Sequence, residues 1–335
     1  MAKNQSLNAA SKAKEDEFYT QRSDIERELS HYESFFEGKT VYLNCDDPVT
    51  SEFWQFFRRN FNAYKLKRLI ATHYEPDSKN YAYFLDLSED TNGDGIVDWN
   101  DEPVITQLPC NGDFRSAACI ELLKQADVVV TNPPFSLFRE YVAQLIEYKK
   151  NFLIIGSQNA ITYKEIFPLL RDNMLWLGYY SGDMSFTVPD YYKPRATRYW
   201  QDETGQKWRS MGNICWYTNI DIPKRHDFID LRGNYFTNAY LKYDNYNAFN
   251  VDKVADIPCD FDGVLGVPVT FMSKYCPEQF EIVGLAAGNI KGLSGMISTT
   301  GKDGPYINGK LKYGRILVRN KHPEPRRYPD ENKYD

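Results

Sequence analysis

The chain has 335 residues, 42% of them hydrophobic, and a formal net charge of −6. That length suits one large domain or a core domain with a smaller one, while no apolar run approaches the ~18 residues of a membrane span and the start MAKNQSLNAASKAKEDE has no signal-peptide core, so a soluble cytoplasmic protein is expected. Six cysteines without a CxxC pair and only four histidines make zinc a poor fit and reduced thiols the expectation.

Residues 1–16 read as a flexible arm. An amphipathic helix is expected over Asp24–Phe36, ended by Gly38. TVYLNCDDP (40–48) reads as a strand stopping at two carboxylates and a proline, and SEFWQFFRRNF (51–61) as an aromatic-rich helix with Ser51 as N-cap. KRLIATHYEP (67–76) and YAYFLDLS (81–88) follow as strands, then SAACIELLKQA (116–126) as a helix. In ADVVVTNPPFSLF (126–138), Val128 to Val130 form a buried strand, and two prolines remove two donors and stop it. The helix SLFREYVAQLIEY comes next, then the strand NFLIIGSQNAI (151–161) and a helix around TYKEIFPLLRDN. This alternation predicts an α/β fold with a doubly wound, mostly parallel sheet. Beyond about residue 180 helical periodicity fades. MGNICWYTNI (211–220), GVLGVPVTFM (263–272), FEIVGLAA (280–287) and GRILVRN (314–320) read as strands of a strand-rich C-terminal region.

The net acidity does not exclude a nucleic-acid partner. Asp90, Asp94, Asp98, Asp101 and Glu102 account for most of it within one short segment, and basic clusters lie elsewhere: Lys65, Lys67 and Arg68; Lys193, Arg195 and Arg198; Lys224, Arg225 and His226; Arg319, Lys321, Arg326 and Arg327. Such clusters are more often solvated surface than binding sites.

Ligands of open α/β sheets bind at the carboxyl ends of the strands. The loop after the first strand carries Asp46 and Asp47 and lacks the GxGxxG glycines, so it suits a cationic ligand such as the sulfonium of S-adenosylmethionine better than a pyrophosphate. Glu75 ends the second strand, a place for ribose hydroxyls. Asp113 and Phe114 are candidates for holding adenine. Each has a plainer reading as well: a helix cap for Asp46 and Asp47, a solvated strand end for Glu75, a turn and a core ring for Asp113 and Phe114, a turn initiator for Asn132.

TNPPF (131–135) looks like the catalytic motif of amino-group methyltransferases, (D/N/S)-P-P-(Y/F/W). With DEFYTQ (16–21), NCDDP (44–48), NGDF (111–114) and FLIIG (152–156), the chain resembles the EcoRI-type adenine-N6 DNA methyltransferase family over nearly its whole length, about residues 11–320. The resemblance implies an S-adenosylmethionine-dependent enzyme (EC 2.1.1.72) that methylates a flipped-out adenine, as part of a restriction-modification system or alone. Residues 17–220 would then hold cofactor and catalysis, and residues 221–335 target recognition. Cofactor contacts are expected at Tyr19, Thr20, Asn44, Asp46, Asp47, Glu75, Asp113, Phe114 and Asn132, and the catalytic motif at Asn132, Pro133, Pro134 and Phe135. The Asn132 amide oxygen and the Pro133 carbonyl would accept the two N6 hydrogens, and Phe135 would stack on the base. Lys193, Arg195 and Arg198 are candidate phosphate contacts on double-stranded DNA, and a cognate endonuclease is a possible partner. An RNA adenine or protein-glutamine methyltransferase sharing NPPF is the alternative.

DTNGDGIVDWND (90–101) has calcium-loop spacing: Asp90, Asn92, Asp94, the Ile96 carbonyl, Asp98 and Asp101, with Gly95 at the sixth position. Asp101 replaces the usual glutamate, and the competing reading is a solvated acidic turn. A structural calcium ion is expected here.

Overall fold

A strand with three β-branched residues in a row buries both faces, so it belongs in the middle of a sheet. The computed structural model, which describes residues 18–45, 48, 51–74, 82–235, 240–288 and 290–325, puts Val128–Thr131 there with every residue buried. The first sheet comprises β1 (Tyr19–Thr20), β2 (Thr40–Leu43), β3 (Arg68–Thr72), β4 (Tyr83–Leu87), β5 (Val104–Gln107), β6 (Val128–Thr131), β7 (Asn151–Ser157), β8 (Trp176–Thr187), β9 (Tyr199–Gln201) and β10 (Lys207–Thr218). Its order is β1-β8-β10-β7-β6-β2-β3-β4-β5, with β9 on β10.

Only the centre is parallel: β7, β6, β2 and β3 run together. On one flank β4 and β5 are antiparallel, and on the other β10 is antiparallel to β7 and β1 to β8. The mostly parallel sheet expected from the sequence is therefore a mixed sheet with a parallel core. Between β4 and β5 lies the acidic loop rather than a helix, and a parallel partner needs a helical crossover.

The helices among the described residues are α1 (Arg22–Leu29), α2 (Glu33–Phe36), α3 (Glu52–Arg59), α4 (Ala117–Gln125), α5 (Phe138–Glu147) and α6 (Phe167–Arg171). The single helix expected over 24–36 is broken at His31 and Tyr32. The Tyr32 hydroxyl donates to the buried Glu28 carboxylate, and the His31 ring stacks on Tyr179 at 3.9 Å. Glu28 also accepts the backbone N–H groups of Tyr179 and Tyr180 at 2.8 and 2.7 Å, so an acid of α1 serves β8. Gly178 makes room for it, since a Cβ there would lie 2.2 Å from the carboxylate oxygen. Helix α3 starts as its sequence demands, with the Ser51 hydroxyl accepting from the Phe53 N–H at 3.1 Å. It buries Phe53, Trp54, Phe56 and Phe57, each worth roughly 1.5–3 kcal/mol of transfer free energy.

The described residues up to Gln158, with Gly178–Ile220, form one compact unit; Asn159–Leu177 and the residues from Asp221 onward form another. The second unit holds a sheet of β11 (Ala248–Asn250), β12 (Val264–Pro268), β13 (Phe280–Ala286) and β16 (Arg315–Asn320), in the order β11-β12-β16-β13, and a hairpin of β14 (Tyr306–Ile307) and β15 (Lys310–Leu311). Its strands are short and separated by long loops, so the region is less strand-rich than its sequence suggests. Helix α6 packs on β13. No helix among the described residues is long and apolar enough to cross a membrane.

Candidate functional site

The four parallel strands finish at one edge of the sheet. Pairing of Val41 with Val128 and of Thr131 with Ile154 brings Asn44 after β2 and Asn132 after β6 out side by side. The turn that follows grades from core to surface: Asn132 and Pro133 are buried, Pro134 and Phe135 half-buried, and Ser136 exposed. The prolines end the ladder, and Phe135–Leu137 makes one tight 3-10 turn before α5.

Asn132 is held in one orientation. Its Nδ2 donates to the Phe18 carbonyl at 2.7 Å and to the Thr20 hydroxyl at 3.2 Å. A carbonyl accepts and never donates, so Nδ2 must face β1 and the amide oxygen must face away from it. Burial makes that choice firm, because a flip would set two oxygens against each other in a low-dielectric setting. The spacing of NPPF told nothing of this lock, which comes from residues 112 and 114 positions away.

Around Phe135 the aromatic residues gather. Its ring stacks on Phe18 at 5.6 Å and 29°, and Phe18 in turn meets Phe186 at 5.6 Å and Tyr192 at 6.0 Å. Phe186 and Tyr192 had no sequence signal, as they lie in a strand and a loop without periodicity.

At the neighbouring strand end, the Asn44 amide oxygen accepts from the Tyr141 hydroxyl and the Cys45 thiol, while its buried Nδ2 has no hydrogen-bond partner among the described residues. Tyr141, buried on α5, is thus also a polar anchor. Phe114 is buried edge-on against Tyr141 at 5.0 Å, with its carbonyl accepting from Gln144. Gly112 has φ +80°, and a Cβ on it would sit 2.2 Å from the His73 carbonyl, so the NGDF loop crosses directly over the end of β3. Asp113 is half-buried, which by itself raises its pKa, but hydrogen bonds from the Arg115 side chain and backbone outweigh this and hold the carboxyl below the usual range. Arg115 also reaches Glu140 at 3.2 Å. The Asp113 carboxylate is therefore committed to Arg115, whereas the Phe114 ring is placed against Tyr141. Tyr19 and Thr20 form β1, paired with Thr187 and Phe186 of β8. Asp46, Asp47 and Glu75, and the arm 1–16, lie outside the described residues.

The acidic loop does not gather its calcium ligands. Asp90 accepts from the N–H of Gly93 and Gly95, Asn92 from Asp94, Asp94 from Ile96, and Asp98 from Asn100. Asp101, fully buried, accepts from the N–H groups of Thr91, Asn92 and Asp98, which lowers its pKa. Each of these side chains answers a local amide, as in a self-closing turn. No three His, Cys, Asp or Glu side chains among the described residues are grouped to hold a metal ion, so the calcium expectation lacks support in the geometry.

Lys193, Arg195 and Arg198 are all exposed in the segment between β8 and β9. Arg198 is ion-paired with Asp183 at 2.7 Å, and Arg195 sits 5.8 Å over the Tyr192 ring. Their positions tie the segment to the aromatic cluster, although Arg198 has a carboxylate of its own.

Known proteins resemble the chain along nearly its whole length. The family described as adenine-specific methyltransferase EcoRI matches residues 6–321. The type II methyltransferase M.EcoRI of Escherichia coli is 44% identical over 96% of this chain and 98% of its own. The type II methyltransferases M.MgeORF184P of Mycoplasma genitalium and M.MpnI of Mycoplasma pneumoniae are 37% and 36% identical, over 93% and 94% of this chain and 98% of each relative. No solved structure matches the chain.

Proposed function

The chain belongs to the adenine-specific EcoRI methyltransferase family, and on that premise we propose how its residues transfer a methyl group to adenine N6 in DNA. It is an adenine-specific DNA methyltransferase whose family uses S-adenosylmethionine as methyl donor; RNA and protein-glutamine acceptors are not favoured, since its relatives are type II methyltransferases. The observation that carries the mechanism is the fixed polarity of the Asn132 amide.

An exocyclic amine conjugated with adenine is a weak nucleophile. Two acceptors aimed at its hydrogens draw the nitrogen toward tetrahedral geometry and release its lone pair. The Asn132 amide oxygen, turned away from Phe18 and Thr20, is one acceptor, and the Pro133 carbonyl is the other. Both sit on a turn that cannot relax, so little reorganisation is needed as charge develops. Neither group takes a proton outright, so the proton leaves the amine for solvent after the new N–C bond forms. The Phe135 ring, backed by Phe18, stacks on the base, which must leave the duplex because its amine is otherwise paired.

S-adenosylmethionine supplies an electrophilic methyl carbon when bound. The buried Asn44 Nδ2 fits it as an unpartnered donor at a strand end, beside the Phe114 ring and the close-packed Gly112 turn. Tyr19, Thr20, Asp46, Asp47 and Glu75 complete the proposed cofactor set, with Asp113 contributing through its backbone since its carboxylate is bound to Arg115. We assign residues 17–220 chiefly to cofactor and catalysis and residues 221–335 to target recognition, with Lys193 and Arg195 as phosphate contacts and Arg198 as their support. A restriction-modification role in the cytoplasm, with a cognate endonuclease, follows from the same reading. A calcium ion at residues 90–101 rests on spacing alone, and calorimetric titration with Ca2+ decides it.

Long-read sequencing of plasmid DNA from cells expressing the protein tests the function. N6-methyladenine in one motif, lost in Asn132→Ala, is the expected result. Soluble protein that leaves adenine unmodified would sink it.

A further inference from the structure

In a chain that is acidic overall, residues 290–313 carry four lysines and one aspartate. Lys291, Lys302, Lys310 and Lys312 are all exposed, and none forms an ion pair among the described residues. Three arginines of the same unit are engaged: Arg315 with Asp252, Arg319 with Glu281, and Arg232 with Asp230. Asp252, which feels the charge of Lys312, is already hydrogen-bonded by Arg315 and Asn250. A lysine without a carboxylate keeps its full charge for an anionic partner.

The same segment exposes large apolar side chains: Ile297 is 92% exposed, Tyr313 89% and Leu311 50%. Exposed apolar groups on a mobile loop would mean little, but this backbone is fixed from below. Asn245, fully buried, donates to the Lys302 and Gly304 carbonyls at 2.7 and 2.8 Å and accepts from the Tyr306 N–H at 3.2 Å. The Asp244 carboxylate accepts from the N–H groups of Asn308 and Gly309, which both have positive φ (51° and 73°) in a two-residue turn. Gly284 and Gly295 let β13 and the loop touch backbone to backbone, where a Cβ would meet oxygens at 2.2 and 2.1 Å. Ile307 joins a core of Tyr243, Tyr246, Ala248, Val264 and Leu317. Leu311 packs toward Gly288 and Gly304, while Lys310 and Lys312 on either side of it are exposed.

We propose that residues 290–313 are a preformed DNA-docking surface, in which Lys302, Lys310 and Lys312 contact phosphates and Tyr313 and Ile297 contact bases. This rests on the DNA methyltransferase reading above and names the element of the second unit that meets the duplex. Phosphates take the unneutralised lysines, which position the protein, and apolar groups can read thymine methyls or wedge between base steps.

The test is fluorescence anisotropy of the full-length protein on two duplexes of about 30 base pairs, one with the motif found by sequencing and one scrambled, across a salt series. For K302A/K310A/K312A we expect about 10²-fold weaker binding to both duplexes and a salt slope shallower by about 2–3, with S-adenosylmethionine binding unchanged. Replacement of the same three by arginine should keep the wild-type slope. For Tyr313→Ala we expect the ratio of specific to non-specific affinity to fall about tenfold at an unchanged slope. Wild-type affinity and slope in the triple alanine variant would overturn the surface, and an unchanged ratio in Tyr313→Ala would overturn its base contacts. A wild-type protein that binds neither duplex would instead overturn the DNA reading on which the surface depends.

Discussion

The turn at Asn132 and the segment 290–313 show two opposite uses of rigidity. At Asn132 the side chain itself is fixed, with Nδ2 tied to Phe18 and Thr20 under burial. In residues 290–313 it is the backbone that is fixed, by Asn245, Asp244 and two glycine contacts, and the charged ends are left to solvent. The difference follows from the tasks proposed for them. An acceptor for an amine hydrogen must be placed to within a few tenths of an ångström before the substrate arrives. A contact to phosphate works over a longer range and tolerates a flexible tip, provided its base does not move.

Substitutions can break or sharpen this contrast. The largest effect is expected for Asn132→Ala, which removes a preorganised acceptor: kcat should drop about 10³-fold in single-turnover methylation, with S-adenosylmethionine affinity within about threefold of wild type. Next comes Glu28→Ala. It strands the N–H groups of Tyr179 and Tyr180 and the Tyr32 hydroxyl, and urea denaturation should show a loss of about 3 kcal/mol. Thr20→Val keeps the shape and removes one acceptor from Asn132 Nδ2. A roughly tenfold loss in kcat is expected from the loosened amide, together with a rise in the cofactor KM from the lost hydroxyl, and Thr20→Ser should restore both. A constant kcat would mean that the hydrogen bond from Asn132 to Thr20 does not matter for the rate, and a constant cofactor KM that Thr20 is no cofactor contact.

The smallest effect concerns pH. Asp113 is held below the usual carboxylate range by Arg115, so its contribution to stability is present above the unfolded pKa of about 3.9 and disappears as pH falls through the lower folded value. Asp113→Asn should lower stability by a constant amount around neutrality and flatten the acid side of the profile below about pH 4, where the two proteins converge. A difference between the variants that grows from pH 6 to 8 would contradict this assignment.

Much of this was legible in the chain where local rules apply. The Val128–Val130 run, the Ser51 cap and the strand–proline turn–helix order around residue 132 all follow from period, propensity and turn chemistry. The hydrogen bonds that give the turn its meaning were not legible, because they join Asn132 to β1 across more than a hundred residues. Strands β5 and β8 were missed too. β5 is exposed throughout and so carries no alternation, and β8 mixes glycine, tyrosine and serine without a clear period. The acidic loop shows the limit of spacing: it matches a metal site, yet the same oxygens can answer backbone amides, and sequence spacing does not distinguish the two.

Because Asn159–Leu177 sits with the later part of the chain while Gly178–Ile220 returns to the first, the polypeptide passes from one unit to the other three times. No single cut separates them: a fragment ending near residue 220 would carry Phe167 and Leu170, now buried, without the strand β13 on which their helix packs. Exchange of the second unit's long C-terminal stretch between relatives by one recombination event would leave residues 159–177 behind, facing an unfamiliar partner. Inheritance of such a stretch would then require helix α6 and β13 to change together.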